Sequence, residues 1–375
     1  MKRFILLFAL SVLTSTLAIG QKEMPQLADG LMEVHDLFNA TEDPEVACFR
    51  IPAIVTAPNG DLVVAIDERV PSCNDLRGSR DINIVIRRSA DQGKTWTDME
   101  RIVDFPDGLS ASDPSMIVDR ESGEIFLFYN YMDLEKEKDI YYLHVMKSGD
   151  NGLNWSKPED ITPQIAKPEW HKDFKFITSG RGIQTSTGKL LHCMVNLDHG
   201  MHLFASDDHG SSWYLIDTPI EPANESKVVE LADGRWMVNS RVNGGKKRWV
   251  HISSDQGQSW ESRPEPQLID PGCNGSIIRY TSVKEGSDKN RLLFSNAKQK
   301  KGRTHLTVRI SYDEGLSWTE GKCIYPGGSA YSSLTILDNG DIGLVFEKDY
   351  YTENPFVSFS LEWLSDGADR YQENK

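Results

Sequence analysis

The sequence predicts an all-β fold, a six-bladed β-propeller whose blades are four-stranded antiparallel sheets. Two repeated patterns carry this prediction. One is a tight-turn phrase, Ser-x-Asp-x-Gly-x-x-Trp, which occurs five times, and the other is a turn-then-strand phrase, which occurs six times. Both patterns run through most of the chain, so they indicate one repeated architecture and not a single local motif.

The five turn phrases, called Asp boxes below, read SADQGKTW, SGDNGLNW, SDDHGSSW, SSDQGQSW and SYDEGLSW. Their Asp residues stand at positions 91, 150, 208, 255 and 313, so the period is 47 to 59 residues, which indicates stacked structural units. An Asp side chain accepts backbone N–H groups across a tight turn, Gly allows positive φ, and the Trp can pack the turn against a neighbouring sheet. We therefore interpret the boxes as architectural and not as catalytic.

In chain order, the turn-then-strand phrases are NGDLVVAIDE, SGEIFLFYNY, TGKLLHCMVN, DGRWMVNSRV, the looser NRLLFSNAKQ, and NGDIGLVFEK. They follow, in the same order, the strand-like phrases RIPAIVTA, DPSMIVDR, GRGIQTS, SKVVELA, GSIIRYT and YSSLTIL. The pattern therefore predicts six hairpins and six blades. The sixth hairpin lacks an Asp box, and FVSFSLEWL at 356–364 is its predicted third strand. MEVHDLFNA at 32–40 would supply the missing strand and close the ring.

The first twenty residues have the pattern of a secretory signal peptide. Lys2 and Arg3 precede an apolar run from Phe4 to Leu17, and small residues then lead to Gln21. We therefore expect residues 1–20 to be removed, residues 21–375 to form the propeller, and the mature protein to be periplasmic or secreted. The apolar run is shorter than the roughly 20 residues that a transmembrane helix needs, so no membrane insertion is expected.

Composition argues against several classes of partner and cofactor. The chain has 56 acidic and 41 basic residues, a formal net charge of −15, which argues against nucleic acid or an anionic membrane surface as a partner. No Cys-x-x-Cys or His-x-x-x-His spacing occurs, so neither a metal nor a cofactor is predicted. The cysteines are odd in number, so at least one lacks an internal partner, and a bridge between Cys48 and Cys73 is left open; the five are Cys48, Cys73, Cys193, Cys273 and Cys323.

Polar side chains collect at one face of the predicted propeller. In antiparallel blades, first strands start and second strands end at the same face, whereas the Asp boxes lie at the opposite face. The residues at the first face are Arg50, Asp113, Glu225 and Tyr331 on first strands, Arg69, Arg241 and Glu347 on second strands, Asp75 in a loop between strands two and three, and Arg303 at the start of a third strand. Four arginines drawn together repel one another, so the cluster predicts a bound anion, and the guanidinium fork suits a carboxylate or a phosphate.

The stretch FRIPA, the five Asp boxes, the pair NES and NSR, and the stretch AYSS together resemble a bacterial exo-α-sialidase (neuraminidase) of the non-viral, six-bladed kind. The resemblance extends over residues 21–375. It implies that Arg50, Arg241 and Arg303 clamp the carboxylate of a sialic acid and that Glu347 orients Arg50. The substrate would therefore be a sialylated glycan or glycoconjugate.

The same resemblance implies the remaining roles, with Tyr331 as nucleophile, Glu225 as its partner, Asp75 as acid/base, and Arg69 and Asp113 as contacts of the sugar's O4 and N-acetyl side. One stretch departs from the family pattern. NDLRGSRDIN is about two residues longer than the family's usual Asp-x-Gly-Asp-Ile text, which leaves Asp81 as the alternative acid.

The residue types fit hydrolysis with retention of configuration. The anomeric carbon of a sialoside carries a carboxylate, so a carboxylate nucleophile would approach with like charge, whereas a neutral phenol avoids this repulsion. Sialidases are the known exception to the two-carboxylate rule for glycosidases and use a tyrosine. Glu225 would take the proton of Tyr331, and Asp75 would protonate the leaving oxygen.

Three alternative functions remain open. A propeller that binds sialic acid without turnover would need the arginine clamp, but not Tyr331, Glu225 and Asp75 together. A trans-sialidase, or an enzyme that forms an anhydro sialic acid, would share every one of these residues. A scaffold built on Asp boxes would need none of them. We expect a hydrolase that acts as a monomer.

Overall fold

The computed structural model describes residues 24–372, so the predicted signal peptide at 1–20 lies outside the described residues. The described chain is almost entirely β-structure, and none of its helices is long and apolar enough to cross a membrane. The strands are β1 (Glu33–Asn39), β2 (Cys48–Thr56), β3 (Leu62–Val70), β4 (Asp81–Ser89), β5 (Glu100–Val103), β6 (Leu109–Val118), β7 (Ile125–Asp133), β8 (Tyr142–Ser148), β9 (Glu159–Asp160), β10 (Lys175–Ile177), β11 (Gly180–Arg181), β12 (Ile183–Gln184), β13 (Leu190–Asn196), β14 (Gly200–Ser206), β15 (Tyr214–Ile220), β16 (Ser226–Glu230), β17 (Trp236–Ser240), β18 (Lys247–Ser253), β19 (Glu261–Ile269), β20 (Ser276–Thr281), β21 (Arg291–Ala297), β22 (Thr304–Ser311), β23 (Lys322–Ile336), β24 (Ile342–Lys348) and β25 (Glu353–Phe359).

The helical segments are short. They are α1 (Thr162–Ile165), α2 (Leu361–Leu364) and 3-10 turns at Ala40–Glu42, Leu76–Gly78, Pro168–Trp170, Val283–Glu285 and Asp349–Tyr351.

Most strands pair with their neighbours in sequence. Four sheets have the orders β2-β3-β4-β5, β11-β6-β7-β8-β9, β10-β13-β14-β15 with β12 also on β13, and β16-β17-β18-β19. The fifth sheet has seven strands in the order β1-β25-β24-β23-β22-β21-β20. Its long strand β23 pairs with β22 through its first half and with β24 through its second half.

Apolar clusters join each sheet to the next and close them into a ring. Val55 of the first sheet packs in one cluster with Leu127 of the second, and similar clusters continue along the chain. A further cluster contains Ile54 of the first sheet and Phe356 of the last. The first strand, β1, pairs antiparallel with β25 on the last sheet. The predicted all-β propeller is therefore confirmed, and so is the role of segment 32–40 in closing it.

The predicted strand at 356–364 is wrong in its last part. Strand β25 ends at Phe359, and Ser360 caps the N-terminus of α2 by accepting the N–H of Trp363 at 3.1 Å. Leu361 and Leu364 are buried on the inner side of this single helical turn. The phrase LEWL fits a helical period as well as it continues the apolar run, and the Ser cap decides in favour of the helix.

The predicted strand GRGIQTS is also broken. It forms the two-residue strands β11 and β12, of which β11 pairs parallel with β6 of the neighbouring sheet and β12 pairs with β13. Gly182 lies between them, and a Cβ at this position would be 2.4 Å from the carbonyl oxygen of Leu191. The close backbone approach at Gly182 lets the chain pass from one sheet to the next.

Each Asp box forms the same turn between a third and a fourth strand. In the third box, Ser206 Oγ accepts the N–H of Gly210 at 2.8 Å, and Asp208 Oδ1 accepts the N–H of Ser212 at 2.9 Å. The other four boxes repeat both bonds at 2.7–2.9 Å. Gly210 has a φ of 73°, which residues with a Cβ rarely adopt. The architectural interpretation of the boxes is confirmed.

The boxes and the predicted polar cluster lie at opposite ends of the strands. In the first sheet, Leu62 is opposite Ser89, which begins the first box, whereas Arg69 is opposite Cys48. An extended strand from residue 62 to residue 69 spans about 23 Å. The predicted separation of the two faces is therefore present.

A disulfide joins Cys48 to Cys73, one of the pairings that the sequence left open. The two Cα atoms are 5.7 Å apart, and the bridge ties the start of β2 to the loop that follows β3. Cys193, Cys273 and Cys323 are free. The loop fixed in this way carries Asp75.

The box tryptophans are expected to support stability and not ligand binding. Trp213 is 5% exposed and packs edge to face on Phe126 and Phe128, so Trp213→Ala should lower the free energy of unfolding by about 3–5 kcal/mol. Urea denaturation measures this loss. Leu316→Ala, at a box position that is 71% exposed, is the control and should change stability by less than about 0.5 kcal/mol. A Trp213 variant with wild-type stability would contradict this role.

Candidate active site

Irregularities in three inner strands turn polar side chains toward one cavity. Strands β2, β6 and β23 each contain a register shift, next to Arg50, at Asp113 and at Tyr331 respectively. Ile51 and Asp113 have left-handed backbone conformations, with φ of 66° and 65°. Such bulges are common beside active sites because they re-aim side chains that a regular strand would direct elsewhere.

The buried carboxylate of Glu347 holds two of these strands. Its Oε1 accepts Arg50 Nε at 3.1 Å and the backbone N–H of Ile51 at 2.9 Å, and its Oε2 accepts the backbone N–H of Tyr331 at 2.9 Å. Glu347 lies on β24, so one side chain joins β24 to β2 and β23. These contacts are those that the predicted role of Glu347, to orient Arg50, requires.

Asp67 repeats this arrangement one sheet further on. The side chain is buried on β3, where its Oδ1 accepts the backbone N–H of Asp113 at 3.0 Å. Its Oδ2 accepts Ser112 Oγ at 2.6 Å and Arg69 Nη2 at 2.9 Å. The sequence analysis did not identify Asp67. The available signal was its position two residues before Arg69, which places both side chains on the same face of β3.

Tyr331, Glu225 and Arg241 form the centre of the site. The hydroxyl of Tyr331 donates to Glu225 Oε2 at 2.7 Å and accepts from Arg241 Nη1 at 3.0 Å. Arg241 Nη1 also donates to the same oxygen of Glu225. Glu225 directly precedes β16 and Arg241 directly follows β17, and their backbones pair through Arg241 N–H and the Glu225 carbonyl at 3.0 Å. The hairpin therefore presents a carboxylate and a cation together beside a phenol.

The surroundings of Tyr331 favour the neutral phenol. Burial raises its pKa well above the ordinary value of 10.0, and the charge of Glu225 raises it further. Arg241 and Arg50 act in the opposite direction but do not outweigh burial. A reaction that uses this oxygen as a nucleophile therefore needs a base, and Glu225 is the carboxylate in contact with it.

Arg303 and Arg50 both contact Tyr351. Arg303 Nη1 donates to Tyr351 Oη at 3.3 Å, and Arg50 Cζ lies 4.2 Å from the centroid of the Tyr351 ring. Both guanidinium groups also lie over the ring of Tyr331, at 5.6 Å for Arg50 and 5.5 Å for Arg303. The two tyrosines therefore hold two of the three predicted clamp arginines between them.

The segment that presents Tyr351 has a strained backbone. Asp349, Tyr350 and Tyr351 have φ of 41°, 60° and 70°, and none of them is Gly. Tyr325 Oη donates to Asp349 Oδ2 at 2.6 Å and anchors the start of this segment. Strain of this kind persists where the surroundings fix it, which is typical of functional sites. The sequence analysis missed Tyr351, because a tyrosine in a loop carries no periodic signal.

The arginines beside Asp75 favour its ionised form. Its Oδ1 accepts Arg69 Nη1 at 2.8 Å and Arg50 Nη1 at 3.2 Å, although the side chain is 82% exposed. Burial would raise its pKa, but Arg69 and then Arg50 outweigh that effect and hold the pKa below the ordinary 3.8. Arg69 Nη1 also donates to the carbonyls of Cys73 and Asn74 at 3.1 and 3.0 Å. Arg69 therefore anchors the loop as well as pairing with Asp75.

The pKa of Asp113 is raised, in contrast to that of Asp75. Burial, and next the charge of Asp67, raise the pKa of Asp113 to about 8, while Arg69 opposes the rise. Asn130 Nδ2 donates to Asp113 Oδ2 at 3.0 Å. The raised pKa favours the protonated form of Asp113, which can donate a hydrogen bond to an oxygen or nitrogen acceptor of a ligand.

These residues line one cavity of about 280 Å³. All the predicted site residues line this cavity except Glu347 and the alternative acid Asp81. Glu347 lies behind Arg50. Asp81 accepts instead from Asn83 Nδ2 at 3.1 Å. The lining residues are Arg50, Ile51, Arg69, Asp75, Leu76, Ser112, Asp113, Tyr141, Phe174, Phe176, Leu197, Asn224, Glu225, Arg241, Asn243, Arg303 and Tyr331. In residues 24–372, no group of three or more His, Cys, Asp or Glu side chains is placed to hold a metal ion.

The cavity has an apolar side that the sequence analysis also missed. Tyr141 stacks on Phe174 with ring centroids 4.7 Å apart, and Phe174 contacts Phe176 at 5.8 Å. The phrase FKF, in which two Phe alternate with a Lys, was the available signal. The site therefore combines cations on one side with an aromatic wall on the other.

The chain is similar to known sialidases along most of its length. A sequence profile described as a BNR repeat-like domain matches residues 74–344. A sialidase of Micromonospora viridifaciens is 35% identical over 346 residues, which cover 84% of this chain and 52% of that protein. A sialidase of Bacteroides fragilis (strain YCH46) is 30% identical over 337 residues, with coverage of 81% and 61%. The structure of the Hadza microbial sialidase Hz136 has a TM-score of 0.79 and 28% identity, with coverage of 88% and 69%.

These comparisons define a β-propeller of the BNR repeat-like family. The chain therefore belongs to the BNR repeat-like family, and its predicted resemblance to the bacterial sialidases is confirmed. The chain spans only 52% and 61% of the length of the two sialidase relatives.

Tyr351 is expected to position Arg50 and Arg303, two of the three arginines that are predicted to bind a carboxylate. Tyr351→Ala should weaken the binding of N-acetylneuraminate about tenfold, because Arg50 loses the ring that it packs on. Tyr351→Phe keeps the ring and should stay within about threefold of wild type. Calorimetric titration measures both. Tyr350→Ala is the matched control, since Tyr350 shares the left-handed backbone but is 91% exposed. Equal losses in the Tyr350 and Tyr351 variants would mean that the segment, and not the ring, matters.

Proposed function

We propose that this chain is an exo-α-sialidase that hydrolyses terminal, α-ketosidically linked sialic acids from glycoconjugates. The observation that carries the proposal is the Tyr331 hydroxyl, which donates to Glu225 in a cavity that Arg50, Arg241 and Arg303 also line. An anion-binding surface without turnover needs the arginines, but it does not need a buried phenol paired with a carboxylate. The sialidase relatives support the substrate class.

The propeller is proposed to have six blades of four strands. The seven-stranded sheet divides naturally within β23, because one half of that strand pairs with β22 and the other half with β24. One unit is then β20 to β23, and the other is β23 to β25 with β1 at the outer edge. With the other four sheets this division makes six units, the number that the six hairpins predict.

Substrate binding is proposed to start from the carboxylate. In a sialoside the carboxyl carbon is bonded directly to the anomeric carbon. A carboxylate held by Arg50, Arg241 and Arg303 would therefore bring the anomeric carbon next to the Tyr331 hydroxyl, which already lies 3.0 Å from Arg241 Nη1. Asp113 and the aromatic wall would contact the rest of the sugar.

The chemical step is proposed to be attack by Tyr331. The phenol oxygen bonds to the anomeric carbon as its proton moves to Glu225, and the bond to the aglycone oxygen breaks as Asp75 protonates that oxygen. Water then attacks the sialyl-tyrosine, with Asp75 as base, and the phenol recovers its proton from Glu225. Two displacements at one carbon retain the anomeric configuration. The arginines stabilise the bound anion and the transition state.

Substrate binding is proposed to prepare Asp75 as an acid. Asp75 forms an ion pair with Arg50, which is one of the arginines predicted to bind the substrate carboxylate. A substrate carboxylate would take over Arg50, so Asp75 would lose one of the two cations that lower its pKa most. The pKa of Asp75 should therefore rise when substrate is bound, which favours the protonated form that catalysis needs.

The arginine clamp can be tested by Arg→Lys replacements. Lysine keeps the charge but loses the bidentate fork, so Arg50→Lys, Arg241→Lys and Arg303→Lys should each lower kcat/KM by the equivalent of roughly 2–4 kcal/mol. Steady-state kinetics on a sialoside measures the loss. Arg77→Lys, on an exposed arginine paired with Asp139, is the control and should remain near wild type. If all three clamp variants retain kcat/KM within twofold, the clamp is assigned wrongly.

The nucleophile can be tested by Tyr331→Phe, which removes one oxygen and almost no volume. The variant should still fold and bind sialic acid while losing turnover by the retaining route. A fluorinated sialosyl fluoride should label the wild-type protein, and peptide mass spectrometry should find the label on Tyr331. Glu225→Gln should resemble Tyr331→Phe, because the phenol then lacks its base. Label on a carboxylate, or near-normal retaining turnover by Tyr331→Phe, would contradict the mechanism.

The acid can be tested by the dependence of rate on pH. Asp75 acts when protonated, so activity should fall as pH rises through its pKa. The profile of kcat reports the bound enzyme and that of kcat/KM the free enzyme, so the falling limb should lie at higher pH in kcat. Asp75→Ala should lose this limb and be impaired most on substrates with poor leaving groups. An equal impairment on an activated aryl sialoside and a natural sialoside would point to Asp81 instead.

The reaction products distinguish hydrolysis from its alternatives. A trans-sialidase would pass the sialyl group to a sugar acceptor, and an anhydro-forming enzyme would release an internal ether, whereas a hydrolase releases free sialic acid. Mass spectrometry of the products decides among them. We further propose export after removal of residues 1–20, to the periplasm or the medium, and action as a monomer, which N-terminal sequencing and light scattering test.

A further inference from the structure

A second cavity lies at the Asp-box face of the propeller. Its volume is about 310 Å³, and its lining includes the ends of four first strands at Thr56, Val118, Glu230 and Ile336. None of its lining residues belongs to the cavity that contains Tyr331. It is therefore a separate opening near the opposite ends of the inner strands.

Arg181 contributes a cation to this cavity without an acidic partner. Its Nη1 donates to the carbonyl of Leu334 at 3.2 Å, and its buried Nε has no acceptor within residues 24–372. It forms no ion pair with any residue in that range. By contrast, Arg88 pairs with Asp61 at 2.7 Å, and Arg279, which also lines this cavity, donates to Glu314 at 2.8 Å.

The charged side chains around Arg181 in the described chain do not supply it with a counter-ion. Four cationic side chains line the cavity against two acidic ones, and a third acid, Glu314, pairs with Arg279. Burial, and next the charge of Arg120, lower the pKa of Arg181 to about 10. Of the two acids, Glu285 pairs with Arg120 at 3.5 Å, and Glu230 accepts Ser186 Oγ at 2.9 Å. A half-buried guanidinium without a carboxylate partner is incompletely compensated for its lost hydration, and a bound anion would relieve this cost.

Apart from its charged residues, the cavity is lined by eight apolar and five neutral polar side chains. Val118, Ile183, Leu231 and Tyr280 face the same space as Arg181. The volume lies near the lower end of the roughly 300–1,000 Å³ range of small-molecule sites, in which apolar walls carry a few convergent polar groups. An inorganic anion would use the charge but not these walls.

We propose that this cavity binds a small organic anion, whose carboxylate pairs with Arg181 and whose compact apolar body packs against the aliphatic and aromatic walls. Benzoate has this chemistry and a suitable size. The site is independent of the proposed hydrolytic reaction, because the two cavities share no residue.

Calorimetric titration with benzoate tests the proposal on wild type, Arg181→Met and Arg303→Met. Arg181→Met should weaken benzoate binding at this site at least about tenfold, through loss of a charge-assisted pair. Arg303→Met changes the cavity that contains Tyr331, so it should still bind benzoate at the Arg181 site. Benzyl alcohol, a neutral analogue of similar shape, and sulfate, an anion without an apolar body, should both bind at least about tenfold more weakly than benzoate. Arg181→Met should keep wild-type kcat/KM on sialosides.

Stability provides a second readout. Arg181→Met should unfold without ligand at no lower temperature than wild type, because it removes a half-buried charge that has no acidic partner within residues 24–372. Benzoate should raise the unfolding temperature of wild type but not of this variant. Ala232→Phe, which narrows the cavity but keeps Arg181, should also weaken benzoate binding. Any one of three results would overturn the proposal. Benzoate binding could be unchanged in both Arg181→Met and Ala232→Phe, wild type could fail to bind benzoate, or sulfate could bind as tightly as benzoate.

Discussion

Three N–H groups from two strands converge on the buried carboxylate of Glu347, one from the Arg50 side chain and two from the backbones of Ile51 and Tyr331. A buried carboxylate is tolerated only when its oxygens are paired, so none of these donors can move away without a large cost. The bonds fix Arg50, one of the proposed clamp arginines, relative to Tyr331, although the two residues lie near opposite ends of the described chain. Asp67 repeats the arrangement one sheet further on. The geometry of the site thus rests on second-strand carboxylates that bind irregular first strands.

The propeller makes this arrangement possible by separating stability from chemistry. The Asp boxes form their turns within a few residues and pack their tryptophans at one face. The opposite strand ends are then available for bulges, left-handed residues and like charges that a regular sheet would disfavour. Different causes set the pKa values of two acids in the site. Asp75 touches Arg50 and Arg69, which keep its pKa low, whereas burial and the charge of Asp67 raise the pKa of Asp113.

The sequence was most informative where structure follows from local rules. The Asp boxes and hairpins predicted the ring, because turn chemistry and strand period are set by adjacent residues. The ends of the strands predicted which polar residues meet, because antiparallel order fixes the face. The strand prediction failed at LEWL, where helix and strand patterns coincide and the N-cap at Ser360 favours the helix. Asp67, Tyr351 and Arg181 were missed because their roles depend on partners in other sheets, or on the absence of a partner, which no local pattern records.

The central claim, that Glu347 couples the clamp to the tyrosine, is tested most directly by a double-mutant cycle on kcat/KM. Glu347→Gln offers one oxygen to three donors, so it should lower kcat/KM by the equivalent of roughly 2–4 kcal/mol. When Glu347→Gln is combined with Arg50→Lys, the second change should add little, which gives a coupling energy above about 1 kcal/mol. Losses that add to within about 0.5 kcal/mol would show that Glu347 and Arg50 act independently and would contradict the account.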